Sequence, residues 1–481
     1  MSGRGSIRRR SACRLTENFA RRLDAAAGRA PDRLALIDDA QRLTFGDLAR
    51  RGGATAKWLA AQGLRPGDRV ALALPNSAAF AIALYGALKV GLTVTPLNPQ
   101  LTPDERERIL EDFQPSLVID AVPDATADVE TVESVSTPAL VLYTSGSTGR
   151  PKGAVLSHAA LAAGNESWRG PVMALTPEDR VLAVLPLSHS YGINGALLAP
   201  LLAGVTVVIL PRFAPDTAVS AIREHRVTVF PGVATMFQRL LDAPGWSRED
   251  LTSIRIALSG AAPCPWPLAE AWRERTGIRI LRGYGMTELF RPLSYRADDP
   301  RDFPDAIGRP VPGVEIRTVD DDGKDVGEGE VGELLIRSDA AMDGYLAQPE
   351  ETAATLVDGW FRTGDLARVS PEGFVSIVGR KKELILRGGY SVFPPEVETA
   401  LLGHPAVAEA AVIGVPHPSL GEEVAAFVTL RAGLTATADN LIAWCKTRVA
   451  GYKCPRTITL VSELPKGATG KVLKARLRES A

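Results

Sequence analysis

The residues best equipped for chemistry lie in Thr144-Ser145-Gly146-Ser147-Thr148-Gly149-Arg150-Pro151-Lys152-Gly153, directly after the apolar run Leu140–Leu142. Glycines let backbone N–H groups approach an anion closely, the hydroxyls add donors, and Lys152 adds charge. A buried strand that breaks into such a loop suits an anionic ligand. It is not a Walker A turn, because no Gly-Lys-Ser/Thr follows a first glycine at the required spacing. A second stretch, Gly283-Tyr284-Gly285-Met286-Thr287-Glu288, follows the run Ile278–Leu281. There an aromatic ring can stack on a base, a hydroxyl can bond a phosphate, and a carboxylate can hold Mg²⁺. A third, Pro465-Lys466-Gly467-Ala468-Thr469-Gly470-Lys471, places a lysine on a glycine-rich loop able to deliver it to a site and withdraw it.

Further candidates sit where apolar runs end. Ile254–Leu258 passes into Ser259-Gly260-Ala261-Ala262-Pro263, small residues that permit close approach by a flat ligand such as adenine. His189 follows the run Arg180–Leu185, at the strand end where open α/β sheets bind ligands, with a structural or solvated histidine as the alternative. Phe230 and Val233 border Pro231-Gly232 and are either walls of an apolar pocket or plain core. Asp365, after Thr363-Gly364, either accepts both hydroxyls of a ribose or closes a turn. Arg380-Lys381-Lys382-Glu383 is a charged cluster of the kind that is usually a solvated turn, and Gly388-Gly389 also reads as a turn.

The elements that must position these residues alternate along the chain. Leu34–Ile37 and Val70–Leu74 read as buried strands, Thr44 caps a helix, and Ser77–Val90 forms another that stops at Gly91 before a strand to Pro96. This pattern predicts a doubly wound, mainly parallel α/β architecture. Residues 121–137 lack bulky apolar groups and read as a loose surface connection, and Ile316–Arg337 reads as a hairpin about Asp321-Asp322-Gly323. After residue 379 the pattern becomes compact α+β. A chain of 481 residues exceeds one core, so an N-terminal α/β domain with a small β subdomain is expected over 1–379 and a small α+β domain over 380–481.

Bulk properties narrow the function classes. Lys and Arg number 55 against 56 Asp and Glu, which gives no global reason to expect nucleic acid or an anionic membrane as partner. The four cysteines show no C-x-x-C spacing, so neither a zinc site nor a disulfide framework is indicated and the reducing cytoplasm is the simplest home. No apolar run reaches the length of a membrane span, and Met1–Arg14 has arginines without a hydrophobic h-region, reading as a basic disordered tail.

The loop Thr144–Gly153 resembles the signature of the AMP-forming adenylating enzymes, which include acyl-CoA synthetases, luciferases and peptide-synthetase adenylation domains. Tyr284, Thr287 and Glu288 match that family's second signature, and the likeness runs in order from about residue 30 to 478. The resemblance implies roles residue by residue. Ser145, Gly146, Ser147, Thr148, Gly149 and Lys152 would hold phosphates, with Thr287 beside them and Thr144 and Glu288 on Mg²⁺. Gly260, Ala261, Ala262, Pro263, Gly283, Tyr284 and Gly285 would take the adenine, and Asp365 and Arg380 the ribose. His189, Phe230, Val233, Ser259 and Met286 would line the acid pocket. Lys382 would be the pivot of a mobile C-terminal domain, Gly388 and Gly389 would border the pantetheine tunnel, and Lys471 would be the catalytic lysine.

The activity implied is that of an acyl-CoA synthetase using ATP, Mg²⁺ and CoA. A carboxylate attacks the α-phosphate of ATP to give acyl-adenylate and pyrophosphate, and a thiol then displaces AMP. Carboxylates are already ionised at neutral pH, so catalysis is alignment and neutralisation of charge. Loading of an acyl carrier protein's phosphopantetheine is the alternative, although no long insertion interrupts the region before the pivot, which leans toward CoA. A nucleotide-binding protein without catalysis is the third reading, opposed by the presence of both Glu288 and Lys471. A homodimer is left open. Gly283 stands where malonate-specific relatives carry arginine, and no aspartate near His189 could pair an ammonium. An apolar acid, fatty or aromatic, is therefore expected. Arg291 could bind a polar tail of that acid but reads as solvated.

Overall fold

The computed structural model describes residues 16–145, 151–466 and 472–479. Local signals start the helices as the sequence indicates. Thr44 forms a capping box with Asp47 at the head of helix Phe45–Ala61, and Ser77 caps Ala78–Val90, which ends on Gly91 in the left-handed conformation at φ 81°. These two helices lie very close, since a Cβ on Gly86 would stand 2.6 Å from that of Thr55. Helix Ala78–Val90 is buried almost all round, which explains its weak amphipathicity.

Two large sheets flank this layer. One has nine strands, with a parallel centre built from Leu34–Ile37, Thr206–Ile209, Arg180–Ala183, Val229–Gly232, Ile256–Ser259 and Ile280–Met286. Phe290–Ser294 and Arg309–Pro310 extend it antiparallel at one edge and Arg42–Thr44 at the other. Central strands such as Thr206–Ile209 are buried along their whole length, as a sheet covered on both faces requires. The other sheet has six strands, with Leu117–Ile119, Arg69–Leu72, Thr93–Pro96 and Pro138–Ser145 parallel. A smaller antiparallel sheet contains Val314–Val319, Gly332–Ser338, Trp360–Val369 and Val375–Arg380. The last sheet, including Ile385–Arg387, Val407–His417 and Gly421–Leu430, has its own buried cluster drawn from residues 385–458. The α/β architecture is the one the sequence predicts.

Three departures are informative. Pro151–Ser157 is a strand paired antiparallel with Pro138–Ser145, an element the sequence reading did not include. The Gly283–Met286 run continues its strand instead of leaving it. The connection 121–137 is pinned rather than loose, because Val135 pairs with Thr16 and Thr131 meets the Asp24 carboxylate.

That carboxylate also accepts from the Tyr85 hydroxyl and, at 2.6 Å, from Lys89 Nζ, whose side chain is 5% exposed. Asp24→Ala would leave the buried ammonium with the Thr131 hydroxyl and the Tyr85 ring but no carboxylate among the described residues. The expected cost is near the lower end of about 3–5 kcal/mol, since Asp24 itself is partly solvated. Denaturant melts of the variant against Lys89→Met, which removes the charge together with its need for a partner, should show Asp24→Ala as the less stable of the two.

Candidate active site

In a first cluster, strand Ile280–Met286 carries Gly283, Tyr284, Gly285 and Met286 and turns back into Phe290–Ser294. The turn admits no side chain at 285, where a Cβ would meet the Phe290 carbonyl oxygen at 2.2 Å. Tyr284 is thereby aimed at Asp365 and donates to its Oδ2 at 2.5 Å. Asp365 is 4% exposed, and its Oδ1 lies 3.3 Å from Arg380 Nε, the two residues being direct partners across adjacent strands. Burial first, then the Asp365 charge, pushes the Tyr284 hydroxyl well above its ordinary pKa, so it stays a donor. A hydrogen bond and an ion pair thus join Tyr284 and Arg380 through one carboxylate.

In a second cluster, Thr144 and Lys152 face each other across the hairpin. The Lys152 ammonium pairs with Glu351 and sits 5.4 Å from the centre of the Tyr345 ring. Tyr345 in turn donates to Glu288 Oε1 at 2.8 Å and is anchored by its own N–H on Thr352 Oγ1 at 2.8 Å. Glu288 is half-buried next to the buried Thr287, and its second oxygen has no partner among the described residues. A single carboxylate oriented by a phenol fits Mg²⁺, which takes one or two carboxylates and completes its shell with substrate phosphates and water. Gly146, Ser147, Thr148, Gly149 and Lys471 lie outside the described residues, as does the side chain of Ser145. Lys466 and Val472, flanking the lysine loop, form a β-bridge.

In a third region, strand Ile256–Ser259 stops and Gly260 leads into Ala261 at φ 63°, a left-handed conformation uncommon outside glycine, followed by exposed Ala262 and Pro263. His189 is half-buried, accepts from the Tyr191 N–H at 3.2 Å, and is held below its usual pKa by burial. Strand alternation separates the two pocket candidates. Phe230 is 0% exposed and packs at 5.2 Å on Phe237, which meets Trp272 edge-on, a core placement. Val233 is half-buried beside the cluster containing Trp168 and Tyr191. Arg291 is not solvated: it is 4% exposed, in contact with this cluster. Met286 is half-buried against the main core. Beyond the small sheet, Lys382 is exposed in the turn Lys381–Glu383, and Gly388 and Gly389, at φ 57° and 83°, form the tip of a tight hairpin.

The profile described as AMP-binding enzyme matches residues 23–137 and 120–346, and that of the AMP-binding enzyme C-terminal domain matches 396–471. The chain belongs to the AMP-binding enzyme family. It is 36% identical to a feruloyl-CoA synthase from Amycolatopsis sp, over 93% of this chain and 96% of that protein. It is 33% identical to a long-chain-fatty-acid–CoA ligase from Bacillus subtilis, covering 95% and 93%. A benzoate CoA ligase from Burkholderia xenovorans superposes with a TM-score of 0.89 at 32% identity, covering 96% of this chain and 100% of that one.

Membership gives the clusters a common setting, yet the residues that orient them were not evident in the sequence. Tyr345 and Glu351 stand in a stretch with no glycine-rich signature, and only the pairing of Gly344–Tyr345 with the hairpin strand brings them to Lys152 and Glu288. Asp365→Asn should keep the strand pairing but remove the charge answering Arg380. ATP affinity measured calorimetrically should fall on the order of tenfold, the scale of a lost charge-assisted hydrogen bond. Unchanged affinity would make Asp365 a purely structural residue.

Proposed function

We propose that the protein activates an apolar carboxylic acid with ATP to an acyl-adenylate, releasing pyrophosphate, and transfers the acyl group to the thiol of CoA. The observation that carries this reading is the pairing of two units on one turn: Tyr284–Asp365–Arg380, suited to a nucleoside, and Glu288–Tyr345–Lys152, suited to a metal-bound polyphosphate. The relatives named above are all CoA ligases or synthases. The acid arrives ionised and needs no general base, so the residues serve to align it in line with the leaving pyrophosphate. The hairpin loop with Lys152 neutralises phosphate charge, and Lys471 bridges the incoming carboxylate and the α-phosphate, where charge accumulates. Mg²⁺, held by Glu288 with Thr144 nearby, would supply further neutralisation of the polyphosphate.

The C-terminal segment would serve the two half-reactions in turn, with 1–379 as one domain, 380–481 as the other and Lys382 as the pivot. Support comes from the packing: the buried clusters fall on either side of residues 378–384. Lys381 is tied back to Asp321 and Glu333, Glu383 is tied forward to Lys474, and Lys382 between them has no partner among the described residues. Free CoA is preferred over a carrier protein because no long insertion precedes the pivot. Cys264, Cys445 and Cys454 are unpaired thiols, which suits the reducing cytoplasm.

ATP–pyrophosphate exchange and CoA-thioester formation, measured separately over straight-chain and aromatic acids, test the reading. Lys471→Ala should slow exchange on the order of 10²–10³-fold while thioester formation from supplied acyl-adenylate survives. Glu288→Gln should lose exchange with a raised Mg²⁺ requirement. Gly389→Leu should do the reverse of Lys471→Ala, sparing exchange and hindering thioester formation. Equal loss of both activities in a folded Lys471→Ala protein would remove the support for alternation.

A further inference from the structure

The acid end of the site contains a buried cation with no acid to answer it. Arg291 projects from Phe290–Ser294 and is 4% exposed. Its guanidinium donates from Nε to Ser294 Oγ at 3.0 Å, from Nη1 to the Ser259 carbonyl at 3.2 Å and from Nη2 to the Leu281 carbonyl at 3.0 Å. That occupies three of its five N–H donors; the side chain beside it is the neutral Tyr191 phenol, and no Asp or Glu of the described residues is paired with it. Neutral carbonyls hydrogen-bond a guanidinium but leave its charge unanswered, a costly arrangement in an interior.

Its position is set by the residues that end the central strands. A Cβ on Gly283 would stand 2.3 Å from the guanidinium carbon, and one on Gly260 would stand 3.0 Å from both Nη1 and the Tyr191 ring. Two glycines therefore keep open the slot in which the Arg291 side chain lies. The Trp168 ring lies 5.2 Å from the guanidinium and stacks on Tyr191 at 5.3 Å with planes 19° apart. Val233 borders the same cluster. The stacked Trp168–Tyr191 pair thus lies against the guanidinium.

We propose that Arg291 closes the far end of the acid site and selects ring-bearing carboxylic acids carrying an oxygen acceptor opposite the carboxylate, against unsubstituted straight-chain acids. This rests on the acid-activating reading above. A planar ring matches the Trp168 and Tyr191 faces and can lie against the guanidinium plane. A distal oxygen would accept from the donors left over, whereas an alkyl end would leave them unanswered and gain nothing there. A long chain would have to displace the guanidinium from all three of its bonds.

The test uses the full-length protein with ATP, Mg²⁺ and CoA. Exchange and thioester formation are measured on benzoate against 4-hydroxybenzoate, on 3-phenylpropenoate against its 4-hydroxy derivative, and on straight-chain acids from hexanoate to palmitate. The wild type should favour the better-fitting hydroxylated acid over its unsubstituted partner by on the order of 10–100-fold in kcat/KM. Arg291→Met keeps an apolar stem without the donors and should bring that ratio within about threefold while raising the relative rate on straight-chain acids. Equal kcat/KM for both members of each pair in the wild type, or an unchanged ratio in a folded Arg291→Met protein, would overturn the proposal. If that variant does not fold, the wild-type comparison still decides. Absence of exchange with every acid would instead defeat the acid-activating reading and this proposal with it.

Discussion

A carboxylate removed from water has to find its charge and lone pairs answered within the protein. Asp365 finds that answer in two groups from different parts of the chain, the Tyr284 hydroxyl and the Arg380 guanidinium. Tyr284 ends the nine-stranded sheet, Asp365 belongs to the small antiparallel sheet, and Arg380 is the last residue before the turn to the C-terminal segment. One buried charge therefore fixes the approach of two sheets and the starting direction of the third unit. On the proposed reading, ribose hydroxyls would bind the same carboxylate, so nucleotide occupancy and the strand that leads to the pivot share a partner.

The cluster of Lys152, Tyr345 and Glu288 shows the complementary strategy. Its charges are only partly buried, and each is held by a group that can let go. Lys152 rests on Glu351 and the Tyr345 ring, and Glu288 on the Tyr345 phenol. Partly exposed pairs of this kind are individually weak, which suits residues that would exchange protein partners for a polyphosphate and its metal. The hairpin geometry adds to this. A loop carried at the tip of two paired strands can present backbone N–H groups to a ligand without disturbing the core beneath it.

The nine-stranded sheet carries two distinct buried clusters on its opposite faces. Phe230, Phe237 and Trp272 pack together on one face, whereas Trp168, Tyr191 and Arg291 gather on the other. Adjacent residues of one strand thus take unrelated jobs: Val229 belongs to the second group and Phe230 to the first. A pleated strand makes that division unavoidable, because successive side chains point to opposite faces.

The sequence by itself determined the alternating strands and helices, the cap at Thr44, and the α/β class, because those depend on periodicity and on hydrogen bonds made within a few residues. It also marked the chemically dense stretches at Thr144, Tyr284, Asp365 and Lys471, whose composition is unusual enough to stand out locally. Only the tertiary structure decided which of them meet. Tyr284 and Asp365 touch across 81 positions, and Glu288 and Tyr345 across 57, distances in sequence that no local pattern spans. The same holds for Phe230 and Arg291, read from sequence as a pocket-or-core ambiguity and as a solvated cation. Whether an apolar residue walls a pocket, or a charged one is drawn inside, depends on what the rest of the chain packs against it.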